Sequence, residues 1–403
     1  MKTKLMACVL SVAAVSVATA QQKVPIVGKL KGYHTIKPVN AADGDAIKKD
    51  IATSGTSSKT SLPLFTFNVT SSRDGNTYQG VMVGRDPFHH GGTAHVKTFI
   101  VPIVVTTNTV FTPSGVGPGT NTYDPTAPDN TCMASPNNVP LTVFRQSPIF
   151  DKADFNYGGT DVGRTQAVDA FQRANFWKVE DKDEFHTLLG PIETVDPIVL
   201  NVPDAFGITV PTDFFLTPPC GPLGIIDINW FDNLINTTIL PSMPQVNSGN
   251  LPIFLLYNVV MASPVQDLGT CCILGYHGTT NNAPIGTYSP IDFNTNGVFG
   301  TGISDTSIAT HEVGEWMNDP FGVNPVPAFG NVGQVQGFCQ NNLEVGDPLT
   351  GTNAPPIVMS NGFTYHLQEL AFFSWFFGAP SIGIHGWFSD NDTFTTDAGP
   401  VCH

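Results

Sequence analysis

The sequence predicts an α+β fold: a mixed sheet with covering helices, a metal-binding active-site helix and a second, irregular C-terminal lobe. Three observations predict it. Ser304–Pro320, S-D-T-S-I-A-T-H-E-V-G-E-W-M-N-D-P, reads as a short helix with chemistry on one side. Ahead of it, strand-like runs alternate with amphipathic helical ones and end in Leu251–Met261 (L-P-I-F-L-L-Y-N-V-V-M), the strongest strand signal of the chain. The remaining candidate ligands all follow the helix, so a second lobe should meet the first there.

Within the helix, Ser304 or Asp305 can cap the start. Pro320 ends it, because the residue before a proline is pushed out of the α region. Ala309, Val313, Trp316 and Met317 form a core-facing stripe. His311 and Glu315, one turn apart, share another face and can grip one ion, with Glu312 displaced round the helix. The pattern is H-E-x-x-E, the zinc-peptidase H-E-x-x-H geometry with a carboxylate for the second imidazole. An ordinary solvated helix face is the competing reading. Gly314 costs the helix about 1 kcal/mol relative to alanine, so close approach of a strand or ligand should explain it.

Taken in order, residues 1–20 read as a secretory signal peptide. Lys2 and Lys4 precede an apolar run and Ala18-Thr19-Ala20 closes it. Residues 21–61 read as a flexible polar tail. Residues 62–320 form the sheet-and-helix lobe that ends in the H-E-x-x-E helix, and 321–403 the C-terminal lobe that supplies the third ligand. Leu64–Ser71 and Thr77–Gly84 alternate around Asp74-Gly75-Asn76, a hairpin signal. Lys97–Thr107 is a buried strand whose Pro102 suggests an edge or bulge. Residues 110–163, rich in Gly, Pro, Asn and Asp, read as long loops. Thr165–Trp177 and Ile226–Leu240 read as helices, with a strand at Pro197–Val202 between them.

Charge and cysteines bound the function. Net charge is −15, from 18 Lys and Arg against 33 Asp and Glu. Lys182 is the last of the basic residues, so beyond it carboxylates meet no side-chain cation except protonated histidine. Clustered carboxylates there must stay solvated, take up protons or hold metal. Nucleic acid is disfavoured as a partner by the same asymmetry, and no apolar run is long enough to span a membrane. Cys132, Cys220, Cys271, Cys272, Cys339 and Cys402 remain after signal removal. They suggest up to three disulfides in a secreted chain, extracellular or periplasmic, with adjacent Cys271 and Cys272 bonded to different partners.

A zinc ion held by His311 and Glu315 needs a third ligand. Glu344 is the first choice, followed by Asp347, Asp319 and His366. A calcium ion is a second cofactor candidate at Asp292, Asn294 and Asn296, which open a D-x-N-x-N-G loop. Ile303 stands where that loop needs a bidentate glutamate, and an Asn/Gly turn is the plainer reading.

The run H-E-V-G-E-W-M-N-D-P, followed by L-E-V-G-D and N-G-F-T-Y-H-L-Q-E, resembles a segment of the secreted exordium (phosphate-induced) proteins and their bacterial relatives, which are zincin-like. The likeness covers about Thr310–Glu369, with a weaker echo in Gly275–Gly278. It matches at His311, Glu312, Glu315, Pro320, Glu344, Gly346 and Asp347, and departs where Pro348 replaces a cysteine. The resemblance implies an extracellular zincin-like fold.

The residue types imply a mechanism. A zinc-bound water would be deprotonated by Glu312 as general base, with Tyr365, His366 or His277 as a second donor to the oxyanion. The expected activity is that of a metallopeptidase on a peptide or protein substrate. The alternative is a catalytically silent extracellular or cell-wall-associated binding protein on the same metal-stabilised scaffold.

Overall fold

The computed structural model describes residues 30–89, 91–179, 184–330 and 339–403. The expected signal peptide lies outside these residues. With 36% strand and only 19% helix the protein is mostly sheet, which corrects the expected zincin-like α+β fold. At its centre is a closed, mixed, seven-stranded barrel of β1 (Thr93–Thr112), β2 (Gly207–Val210), β3 (Leu223–Asp227), β4 (Leu251–Tyr257), β5 (Val259–Ala262), β6 (Ile273–Thr279) and β7 (Thr287–Phe293). Round the ring the order is β1-β4-β7-β6-β5-β3-β2 and back to β1.

The run Leu251–Ala262, apolar except for Asn258, supplies two strands, β4 and β5, buried along their whole length. Such continuous runs suit strands covered on both faces. One apolar cluster holds Phe99, Val101, Ile226, Phe254, Tyr276 and Tyr288, and the other holds Ile100, Ile225, Leu255, Leu274 and Ile291, so neighbouring residues of a strand serve different cores. Pro102 lies inside β1, paired with Leu255 of β4. On its other side one partner strand ends at Thr194 and the next begins at Ile198. The missing proline N–H therefore falls where the ladder is already interrupted.

Three further expectations are corrected. The tail is ordered from Leu30: Tyr33–Lys37 is a strand paired in parallel with β6, and Ala41–Ser54 is a helix capped by the Asn40 side chain, which accepts from the Asp43 N–H. The segment 110–163 carries a strand at Gly115–Tyr123, a helical turn at Pro140–Arg145 and a hairpin of Ala153–Tyr157 with Thr160–Thr165. The chain also does not divide into lobes at residue 320, since one apolar cluster runs from Leu30 to Phe388 across that point. The Asp74-Gly75-Asn76 hairpin and the helix within Thr165–Trp177 form as expected.

Among the described residues the disulfides are Cys132–Cys220, Cys271–Cys272 and Cys339–Cys402. Cys271 and Cys272 bond to each other, against expectation. Among the described residues no helix is long and apolar enough to cross a membrane.

Candidate metal centre

The site helix Ser307–Asn318 packs on β6, on β7, on the strand Thr77–Val83 and on the helix Ala167–Asn175. All twelve of its residues are buried, so it is a core helix rather than one with a solvated face. Thr306 takes the capping position, and the Thr306 N–H donates to Asp305 Oδ1. Gly314 is explained by packing: a Cβ there would lie 2.6 Å from Leu370 Cδ1, in the C-terminal segment laid over the helix.

His311, Glu312, Glu315, Glu344 and Asp347 converge, as the spacing suggested. Two residues join them that the helix motif did not reveal. His34 comes from the N-terminal strand and His277 from β6, where it shares a face with Gly275. The donor atoms fall into three sets, each spanning no more than 4.8 Å: His34, His311 and Glu312; His311, Glu315 and Asp347; and His277, Glu315 and Glu344. His311 Nε2 lies 2.8 Å from Glu315 Oε1 and 3.4 Å from Asp347 Oδ1. His277 Nδ1 lies 3.6 Å from Glu312 Oε2 and 3.9 Å from Glu315 Oε2.

The surrounding bonds fix which atoms face inward. Gln368 Nε2 donates to the Gly346 carbonyl, so Gln368 Oε1 accepts from His311 Nδ1 at 3.1 Å and leaves His311 Nε2 to the cluster. His277 Nε2 donates to the Asp319 carbonyl at 3.0 Å, which turns His277 Nδ1 inward. His34 Nδ1 donates to Glu312 Oε1 at 2.6 Å, and the His34 and His311 rings stack with centroids 3.4 Å apart. Glu315 Oε1 accepts from the Gly346 and Asp347 N–H groups. Glycine makes the room: a Cβ on Gly346 would lie 2.5 Å from the His311 ring, and one on Gly275 would lie 2.9 Å from Glu312.

Five inward atoms are buried without a hydrogen-bond partner: His277 Nδ1, His311 Nε2, Glu312 Oε2, Glu344 Oε1 and Asp347 Oδ1. His311 Nε2 is close to two carboxylates yet in line with neither, as when a lone pair and anionic oxygens face a common point. Burial, reinforced by the neighbouring carboxylates, drives Glu312, Glu315 and Glu344 well above the usual carboxylate range. Burial takes His277 down to about 3 and holds His34 well below its ordinary value. At His311 burial pulls downward but is outweighed by Asp347 and Glu312, and the net shift is upward. Among the described residues no Lys or Arg is ion-paired with the cluster, and a divalent cation fits both its charge and its donor types.

The other sequence candidates lie elsewhere. The Tyr365 hydroxyl donates to the Val143 carbonyl and accepts from Asn361 Nδ2. His366 Nδ1 bonds Asp305 Oδ2 at 2.6 Å ahead of the site helix. The Tyr365 hydroxyl is thus committed to these two partners, and His366 belongs to none of the three sets. Asp319 belongs to none of the three sets, its carboxylate accepting from the Val323 and Asn324 N–H groups. Asp292, Asn294 and Asn296 are buried and committed to their own turn. Asp292 accepts from the Val259 N–H and from Asn294 Nδ2, while Asn296 Oδ1 accepts from the Val298 N–H.

A cleft of about 250 Å³ reaches the cluster, lined by His34, Thr35, Ile36, Cys339–Asn342, Glu344 and Asp347. The disulfide Cys339–Cys402 anchors its rim. No family model, curated protein or solved structure matches this chain, and the functional reading rests on the site's own geometry.

Proposed function

We propose that the protein is a secreted, zinc-dependent hydrolase acting on a peptide or protein substrate, with His311, Glu315 and Asp347 holding the ion and Glu312 as general base. The observation that carries this reading is the set of buried donor atoms without partners, converging where, among the described residues, no lysine or arginine is ion-paired with them. A bound zinc ion would polarise a carbonyl and acidify a water molecule. The chain's own groups would do the rest. Glu312 accepts the proton at Oε2 while the His34 N–H holds Oε1 in place. Gln368 keeps His311 in the tautomer whose Nε2 faces the ion. The strand Cys339–Asn342, in a two-stranded sheet beside the cleft, offers backbone groups along which an extended peptide can lie. Disulfides accord with an oxidising, extracellular or periplasmic setting.

The depth of the cluster favours a second reading, a metal-stabilised binding protein without catalysis, because the ligand side chains are almost wholly covered. Glu312→Gln separates the two. For the hydrolase, the variant keeps its zinc and loses about 10²–10⁴-fold in turnover on a broad peptide mixture. If wild type and variant hold zinc equally and neither cleaves any peptide, the binding-protein reading stands.

A further inference from the structure

The seven donor residues exceed what one ion needs and do not gather round one point. His311 and Asp347 fall in one set with Glu315, His277 and Glu344 in another, and Glu315 belongs to both. Glu315 Oε1 faces His311 Nε2, and Glu315 Oε2 faces His277 Nδ1. We infer that the centre is dinuclear: a second divalent cation sits between His277, Glu315 and Glu344, and the Glu315 carboxylate bridges it to the first through its two oxygens.

This inference builds on the metal site proposed above and goes beyond it in three respects. His277 Nδ1 and Glu344 Oε1 are buried, lack a hydrogen-bond partner and belong to the second set, not the first. The tautomer of His277 is dictated by its bond to the Asp319 carbonyl, so the atom left facing the cluster is a lone pair ready for a ligand. Charge gives the third. Glu312, Glu315, Glu344 and Asp347 bring four carboxylates to the cluster, and with all four ionised one divalent ion would leave two charges uncompensated whereas two ions would match all four. Imidazole and carboxylate donors in each set suit Zn²⁺ or Mn²⁺, and paired metal ions are a recurrent hydrolytic arrangement.

The test is metal stoichiometry of the full-length, disulfide-intact protein, stripped and reconstituted with Zn²⁺ and separately with Mn²⁺. Two equivalents per chain are expected, with an exchange-coupled Mn²⁺ pair visible by electron paramagnetic resonance. Glu344→Gln, nearly isosteric, should drop the content to one equivalent and abolish the coupling, and His277→Asn should do the same. Circular dichroism and the thermal midpoint report whether each variant is folded. The wild-type measurement stands without the variants. One equivalent in wild type, unchanged by Glu344→Gln, overturns the dinuclear centre and leaves the single-ion reading intact. No bound metal in wild type overturns both.

Discussion

At the scale of single residues, Gly346 and Glu315 show how much of the site is negative space. Gly346 adopts ordinary helical backbone angles, so its requirement is not conformational. It is steric, because a methyl group there would occupy the volume of the His311 ring. Gly346→Ala is expected to weaken zinc binding by about 10–100-fold, the range for losing support of a ligand. Gly330→Ala, where a Cβ meets nothing within 4 Å, serves as the control and should change stability by no more than about 0.5 kcal/mol. Equal zinc affinity in Gly346→Ala and wild type, measured by competition with a chromophoric chelator, would contradict this steric role. The five residues of the cluster from the helix and its downstream loop were legible in the sequence. A histidine and a glutamate one turn apart announce a shared ligand, and a carboxylate-bearing loop downstream is a natural partner. His34 was not legible, because 278 positions separate it from the Glu312 carboxylate it holds. Only the fold brings them together.

At the scale of elements, β6 and β7 form the floor on which the site helix rests. β6 pairs with the N-terminal strand on one side, which delivers His34, and carries His277 itself. The strand runs of this region were readable as strands, but which strand neighbours which was not. Apolar periodicity marks a buried strand without naming its partners, so the closure of β6 onto β7 into a barrel left no local trace. The same element explains Asp292. Burial raises its carboxyl to about 7 from an ordinary 3.8, so the folded chain retains a proton that the unfolded chain releases. This group therefore contributes stability below about pH 4 that is lost as pH rises through about 7. Asn294 Oδ1, which has no partner, can accept from an amide placed at 292. Asp292→Asn should therefore stabilise the protein by about 1–3 kcal/mol at pH 8, a gain that fades towards pH 4. Denaturant unfolding at the two pH values checks the sign, and a gain larger at pH 4 than at pH 8 would refute it.

At the scale of the whole molecule, the barrel, the N-terminal strand and the C-terminal segment all end on one buried cluster of acids and imidazoles. Carboxylates buried without partners oppose folding unless protons or cations meet them. A metal ion there would do more than prepare chemistry, because it would link parts of the chain that are distant in sequence. Removing it should loosen the fold as a unit, since whatever binds only the folded state stabilises it by mass action, by about 2.7 kcal/mol at a hundredfold excess over Kd. The most direct test is calorimetric unfolding at pH 7.5 of chelator-stripped protein, with its disulfides intact, before and after Zn²⁺ is restored. A thermal midpoint that climbs with zinc concentration and falls back on adding chelator is expected. A midpoint that stays fixed across all zinc concentrations would mean that the cluster holds no ion.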